Sequence, residues 1–251
     1  MIGNLLRRHP YPVRSLWRRV HTRTNPLLFP TIHVNEFPKS GGTWLCRMLR
    51  DCVGWRFDDN AYPWFGPSVI KHHRRAFTAA PAVTMVRDPR DVAVSYYYHC
   101  RQVFDGDDFN RHSVRLIEPV FRGKSTRSEE LDAFVEMLTG APISPAFTWG
   151  EFYSHRDRDG TVWVRYEDLR RDTQSELSRI LRELGIDHDP GSVAAVAESH
   201  DIDRIRARRT QSGAHFIRKG EVGGWRAELT PRSVARIEAD AGGLLGRFGY
   251  A

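Results

Sequence analysis

The strand-like run "TIHVNEF" (31–37) stops at the glycine-bearing loop "PKSGGT" (38–43), and apolar residues then recur at helical spacing. Few features restrict a fold more. A strand that enters a glycine loop and leaves as a helix is the opening unit of an α/β layer. Trp44, Leu45, Met48, Leu49 and Cys52 fall on one helical face, so the helix is expected to lie back against the strand. Gly41 and Gly42 permit close backbone approach, Ser40 and Thr43 supply hydroxyls, and the helix start offers unpaired N–H groups. Such a loop suits an anion. Its lysine, Lys39, precedes the glycines, whereas the nucleotide-binding order GxxxxGK[ST] places it after them. The plain alternative is a glycine turn with a solvated lysine.

The unit recurs. "AVTMVR" (82–87) reads as a strand, and "DPRDVAVSYYYHCRQV" (88–103) as a helix with Asp88 as cap and Pro89 in the first turn. "TVWVRY" (161–166) is a third strand, and "DTQSELSRILRELG" (172–185) a helix that stops at Gly185. Alternation of this kind predicts an α/β fold, with a central, mainly parallel sheet flanked by helices. A chain of 251 residues, 40% of them apolar, suits one sizeable domain over 31–251 after an arm over 1–30. The polar stretch from about 104 to 150 is expected to hold irregular helices and loops.

The net charge is +7, yet residues 1–35 carry six arginines (Arg7, Arg8, Arg14, Arg18, Arg19, Arg23) and no acid, so the excess belongs to the arm. A nucleic-acid-binding domain keeps its charge on the folded body, so no nucleic-acid partner is expected. The arm interleaves its arginines with Leu5, Leu6, Val13, Leu16, Trp17 and Val20. With Pro10 and Pro12 as breakers, a short helix from about Val13 to Thr22 is expected. A basic amphipathic helix can touch an anionic membrane through residues 1–24. The commoner arrangement, preferred here, packs the apolar side on the domain and solvates the arginines. Three cysteines without a CxxC pair argue against a disulfide framework or zinc site. With no signal-peptide pattern in "MIGNLLRRHPYPVRSLWRRV", a cytoplasmic setting is expected.

Four segments, in order, resemble the cytosolic-type sulfotransferases, which use 3′-phosphoadenosine 5′-phosphosulfate (PAPS) as sulfuryl donor. "PKSGGTW" (38–44) is similar to that family's 5′-phosphosulfate loop, PKSGTTW, with Gly42 in place of a threonine. "VRDPRDVAVSYYYH" (86–99) resembles its 3′-phosphate segment, "VRYEDL" (164–169) its YEDL segment, and "FIRKGEVGGW" (216–225) its RKGxxGxW signature. The resemblance implies a single P-loop-like domain and transfer of a sulfuryl group from PAPS to a small-molecule, sugar or lipid acceptor. It implies Lys39 at the leaving phosphate, with Ser40, Gly41, Gly42 and Thr43 as the cradle. Arg87, Ser95, Arg218, Lys219 and Gly220 fall to the 3′-phosphate side. Trp44 is implied to stack on adenine near Tyr166, although a core aromatic and a buried strand tyrosine are the bland readings of those two. The scheme needs no metal. The competing reading, a small-molecule or nucleoside kinase, is disfavoured by the position of Lys39 and by the lack of a second acidic motif for magnesium.

Sulfuryl transfer to a hydroxyl or amine needs a proton acceptor, and histidine suits it. The family often places its base in a KxH segment. In "VIKHHRRAF" (69–77) that register selects His73, with Lys71 as supporting cation and His72 as the alternative. The aromatic segments "NAYPWFGPS" (60–68) and "SPAFTWGEFY" (144–153) lie where the family builds its acceptor pocket. The family's dimer motif is not recognisable in "WRAELTPRSVARIE" (225–238), so no oligomeric state is carried over.

Overall fold

Strand β1 (Thr31–Glu36) sits in the middle of a four-stranded sheet of order β2-β1-β3-β4, every pair parallel. The computed structural model describes residues 11–59, 63–75, 82–102, 115–143, 145–154, 160–209 and 220–251. Helix α1 (Tyr11–Leu28) precedes β1, and α2 (Gly42–Val53) follows the glycine loop. Strand β2 (Ser68–His72) forms one edge, beside β1. Strand β3 (Ala82–Val86) leads into α3 (Pro89–Gln102). Helices α4 (Arg127–Gly140) and α5 (Trp149–Tyr153) come before β4 (Thr161–Arg165), the other edge. Then follow α6 (Tyr166–Arg171), α7 (Thr173–Glu183), α8 (Pro190–Ser199), α9 (Ile202–Arg209), α10 (Pro231–Ala241) and α11 (Leu244–Arg247).

Parallel strands require crossovers, and the crossover helices cover both faces. One apolar cluster joins Ile32 and Val34 of β1 to Leu45 and Leu49 of α2 and Leu177 and Leu181 of α7. A second cluster joins Val86 to Phe134 of α4, Phe152 and Tyr153 of α5 and Ile237 of α10. All strand C-termini therefore point to one end of the sheet, where the loop after β1, His73 after β2, Arg87 after β3 and Tyr166 after β4 converge. Ligands of open parallel sheets gather at that end.

Three of the strands and helices α2, α3 and α7 lie where the sequence pattern puts them, whereas α6 begins at Tyr166, the residue expected to end β4. β2 was not expected: "SVIKH" reads as a charged segment because the edge position lets Lys71 be half-buried and His72 be paired inside. The segment 144–153, expected at the acceptor pocket, is largely core. Trp149, Phe152 and Tyr153 are buried in the second cluster. Those three rings serve packing.

The arm also departs from expectation. Its helix is longer than Val13 to Thr22, since Pro12 falls in the first turn, where no N–H is needed. It docks by its polar side. Asn25, fully buried, donates to Gly66 O at 2.9 Å and accepts from Gly66 N at 2.9 Å. Buried His21 reaches Trp64 O at 3.0 Å, and Arg18 donates to Asp59 O at 2.8 Å. Among the described residues no helix is long and apolar enough to cross a membrane.

Candidate active site

The loop after β1 turns through two left-handed residues, Lys39 at φ 73° and Gly41 at φ 105°. Glycine takes such angles freely, but for lysine the conformation costs energy and persists only where its surroundings enforce it. A Cβ on Gly41 would stand 2.8 Å from Tyr166 Cδ2, so the loop also needs the missing side chain for space. Tyr153 props the loop from beneath. Its hydroxyl donates to Met85 O at 2.6 Å, accepts from Phe37 N at 3.3 Å and lies 3.4 Å from Ser40 Oγ. Ser40 is thus fully buried, with its hydroxyl directed under the loop. Burial draws the Lys39 pKa down to about 8, with Glu36 acting in the opposite sense.

The first turn of α2 holds an acid. Glu36, the last residue of β1, accepts the backbone N–H of Gly42 with its carboxylate. A Cβ at Gly42 would collide with that carboxyl group, so the glycine and the glutamate fit only as a pair. Burial raises the Glu36 pKa, and Lys71, the Gly42 N–H and Lys39 pull it back. Beside it, Lys71 Nζ donates to Thr43 Oγ1 at 2.5 Å and pairs with Asp59 at 2.8 Å. The Thr43 hydroxyl is therefore engaged by a cation at the mouth of the loop.

Tyr166 ties the nucleotide side together. Its buried ring meets Trp44 edge-on at 5.9 Å, carries the Arg87 guanidinium 4.2 Å above its centre, and its hydroxyl donates to Gly220 O at 3.0 Å. Trp44 is itself buried and donates from Nε1 to His200 O at 2.9 Å, so its indole edge is spent on the fold. Arg87 donates to Glu221 O at 2.9 Å and to Lys39 O at 3.5 Å, while its buried Nε has no partner among the described residues. Gly220 has φ 64°, and a Cβ there would lie 2.7 Å from Ile202 Cγ2. Ser95 is half-buried on α3. Arg218 and Lys219 lie outside the described residues.

Two neighbouring histidines have different fates. His72 is buried, and its Nε2 lies 3.1 Å from Nδ1 of buried His33, one ring donating to the other. Burial, then the neighbouring His33, holds the His72 pKa far below its ordinary value. His73 reaches solvent. Its Nδ1 stands 3.0 Å from Glu36 O. A carbonyl only accepts, so Nδ1 carries the proton and Nε2 keeps its lone pair. Desolvation, then the Lys71 charge, lowers its pKa to about 3. Asn35 fixes the backbone one residue further on, donating to Arg74 O and accepting from Arg74 N, both at 3.0 Å. A neutral, oriented imidazole thus stands over the end of β1, next to the carboxylate-bearing Glu36.

A family-wide profile described as Sulfotransferase domain matches residues 73–249. The chain belongs to the sulfotransferase domain family. The profile takes in His73, Arg87, Ser95, Tyr166 and Gly220 and begins after the glycine loop. Sulfotransferase 2A6 of Rattus norvegicus is 24% identical over 81% of this chain and 79% of its own. Sulfotransferase 1C2 of the same organism is 26% identical over 71% of this chain and 61% of its own. In structure, the sulfotransferase is similar to mouse sulfotransferase SULT7A1 complexed with PAP (TM-score 0.58, 18% identity, 88% and 85% of the two chains). It is likewise similar to retinol dehydratase in complex with androsterone and the inactive cofactor PAP (TM-score 0.59, 16% identity, 89% and 83%).

Several residues that shape this sulfotransferase's site went unnoticed in the sequence. Asp91 accepts from Gly223 N at 2.7 Å and Trp225 N at 3.0 Å, anchoring the end of the RKGxxGxW segment to α3. Arg90 lies 4.4 Å over Trp225 and pairs with Asp88 and Glu238. Trp225 is therefore a structural ring. The signal for Asp91 was the second acid of "DPRD", which nothing in the first turn of α3 needs. For Glu36 it was an acid closing a buried strand directly before the glycine loop.

Proposed function

We propose that His73 is the base and Lys39 the leaving-group cation in the reaction of this family, transfer of a sulfuryl group from PAPS to a hydroxyl or amine of a small-molecule acceptor with release of adenosine 3′,5′-bisphosphate (PAP). The observation that carries the assignment is the bond from His73 Nδ1 to Glu36 O, which leaves Nε2 as a fixed proton acceptor. As the acceptor oxygen bonds to sulfur, its proton passes to Nε2. The S–O bond to the 5′-phosphate breaks, and its electron pair stays on the phosphate. In this reading Lys39 offsets the charge that develops on that phosphate, an effect strongest in the transition state, while the Gly42 N–H stays with Glu36. Arg87, Ser95 and Gly220, with Arg218 and Lys219, would recognise the 3′-phosphate, which ATP lacks.

The family match disfavours a kinase. Small apolar alcohols are the acceptor class best supported, since a neighbouring structure is described with retinol and another with androsterone. Sugar and lipid acceptors stay within the same chemistry. A cytoplasmic setting is supported by the free thiols of Cys46, Cys52 and Cys100. The test is transfer of label from PAPS to a panel of phenols, sterols, long-chain alcohols, sugars and amines, with calorimetry of PAP against ATP. Label on none of these, with ATP bound as tightly as PAP, would overturn the reading.

A further inference from the structure

Helix α1 is amphipathic in the inverted sense. Arg18, His21, Thr22 and Asn25 face the domain, and His21, Thr22 and Asn25 are buried by it. On the opposite side Leu16 is 63% exposed, Val20 42% and Leu27 80%. Leu16, Val20 and Leu27 fall within about 40° of one another around the helix axis. Further aromatic rings are exposed beside α1. Trp17 donates to Pro63 O at 2.9 Å and meets Phe65 edge-on at 6.0 Å, and Trp64 and Phe65 are 44% and 40% exposed. Helices of globular domains normally turn the apolar stripe inward. Exposed apolar side chains gathered on one side of a helix in this way mark contact with a partner or a membrane.

We infer that this face docks on an anionic lipid surface. Charge decides between the occupants. Arg19 and Arg23 are exposed on the flank of the stripe, Arg7, Arg8 and Arg14 precede or lie within the helix, and residues 1–35 contain no acid. A second copy of this chain would bring the same arginines against one another across a twofold interface, with no carboxylate in this segment to offset them. Anionic headgroups offset them directly, while the leucines and aromatic rings enter the interfacial layer. The hydrogen bonds that hold the polar side of α1 to residues 59–66 make the stripe a rigid part of the domain rather than a loose tail. The inference rests on the fold alone and stands whatever acceptor the enzyme uses.

The experiment sediments the full chain with vesicles of phosphatidylcholine alone and of an equal mixture of phosphatidylcholine and phosphatidylglycerol. Binding is expected only to the mixture, and is expected to fall steeply with salt. Each arginine at the surface accounts for about fivefold in affinity, so Arg19→Gln with Arg23→Gln is expected to weaken binding about 25-fold. Leu16→Ser with Leu27→Ser is expected to weaken it at least about tenfold. Melting temperature and PAP affinity are expected to stay unchanged in both variants, because the altered side chains are exposed. Equal binding to both vesicle types, or to neither, overturns the inference even if a variant misfolds, since the wild-type comparison suffices. A concentration-dependent dimer in the ultracentrifuge that Leu16→Ser with Leu27→Ser abolishes overturns it in favour of a self-association face.

Discussion

The carboxylate of Glu36 accepts the N–H of Gly42, the backbone donor that opens helix α2. A helix start of this kind binds anions, and here the chain supplies its own. If the donor's 5′-phosphate binds at this loop, as proposed, an ionised Glu36 opposes it as a like charge, a cost on the order of 2–4 kcal/mol at an effective dielectric near 20 and less with solvent present. Glu36→Gln keeps an oxygen that accepts the Gly42 N–H and removes the charge. It is expected to tighten PAP by roughly tenfold in calorimetry. Weaker PAP binding by the glutamine variant would mean the carboxylate supports the loop rather than competing with the phosphate.

Gly42 and Glu36 are also expected to be coupled sterically. A Cβ at residue 42 would collide with the Glu36 carboxyl group, although the related loop PKSGTTW carries threonine there. Gly42→Thr alone is expected to destabilise the fold by roughly 1–3 kcal/mol through overpacking. With Glu36→Thr added, much of that loss is expected to return, giving a coupling of at least about 1 kcal/mol in a double-mutant cycle of denaturant melts. Additive effects would show that the two side chains do not share the space.

That coupling shows where sequence reading stops. The strand–loop–helix order was legible because periodicity and glycine chemistry are local, and so were β1, β3 and β4 and helices α2, α3 and α7. The contribution of Glu36 is set by residue 42, six positions on, and becomes visible only once the loop folds back. β2 was missed because an edge strand with one lysine and two histidines around its end lacks an apolar run. The roles of Trp149, Phe152 and Tyr153 were misread because aromatic density looks the same in a pocket wall and in a core. The inverted face of α1 was misread for a related reason. Helical spacing fixes which residues share a side, but hydrogen bonds from Asn25 and His21 to residues 64–66 decide which side is turned inward.

Arg87 is expected to divide nucleotides by their 3′-phosphate. Its guanidinium lies over Tyr166, donates to Glu221 O, and keeps a buried Nε without a partner among the described residues. Arg87→Ala removes a charge-assisted contact worth roughly 1.5–3 kcal/mol. Calorimetry is expected to show PAP weakened by about tenfold or more and 5′-AMP little changed. Equal weakening of both ligands would place Arg87 in the scaffold instead, as the support of the loop at Glu221 and Lys39.

His73 is expected to set the acid limb of the rate profile. Its folded pKa, about 3, lies below the ordinary 6.5, because desolvation and then Lys71 disfavour the charged ring. The neutral base therefore persists as pH falls through 6.5, and kcat/KM is expected to hold until well below that value. The alkaline limb follows Lys39, whose pKa of about 8 means its charge is lost as pH rises through that value. Unfolding must be measured alongside. Buried His33 has a pKa lowered to about 4, first by burial and then by the charges of His21 and Arg74. The unfolded chain takes up that proton near 6.5, so stability falls as pH drops from 6.5 towards 4, and rates count only where the melting curve shows folded protein. Within that window His73→Ala is expected to lower kcat at least about 100-fold with PAP affinity intact. His72→Ala, which removes the buried bond between His72 and His33, is expected to lower the melting temperature instead. A 100-fold loss of kcat in His72→Ala at unchanged stability, with His73→Ala active, would move the base by one residue.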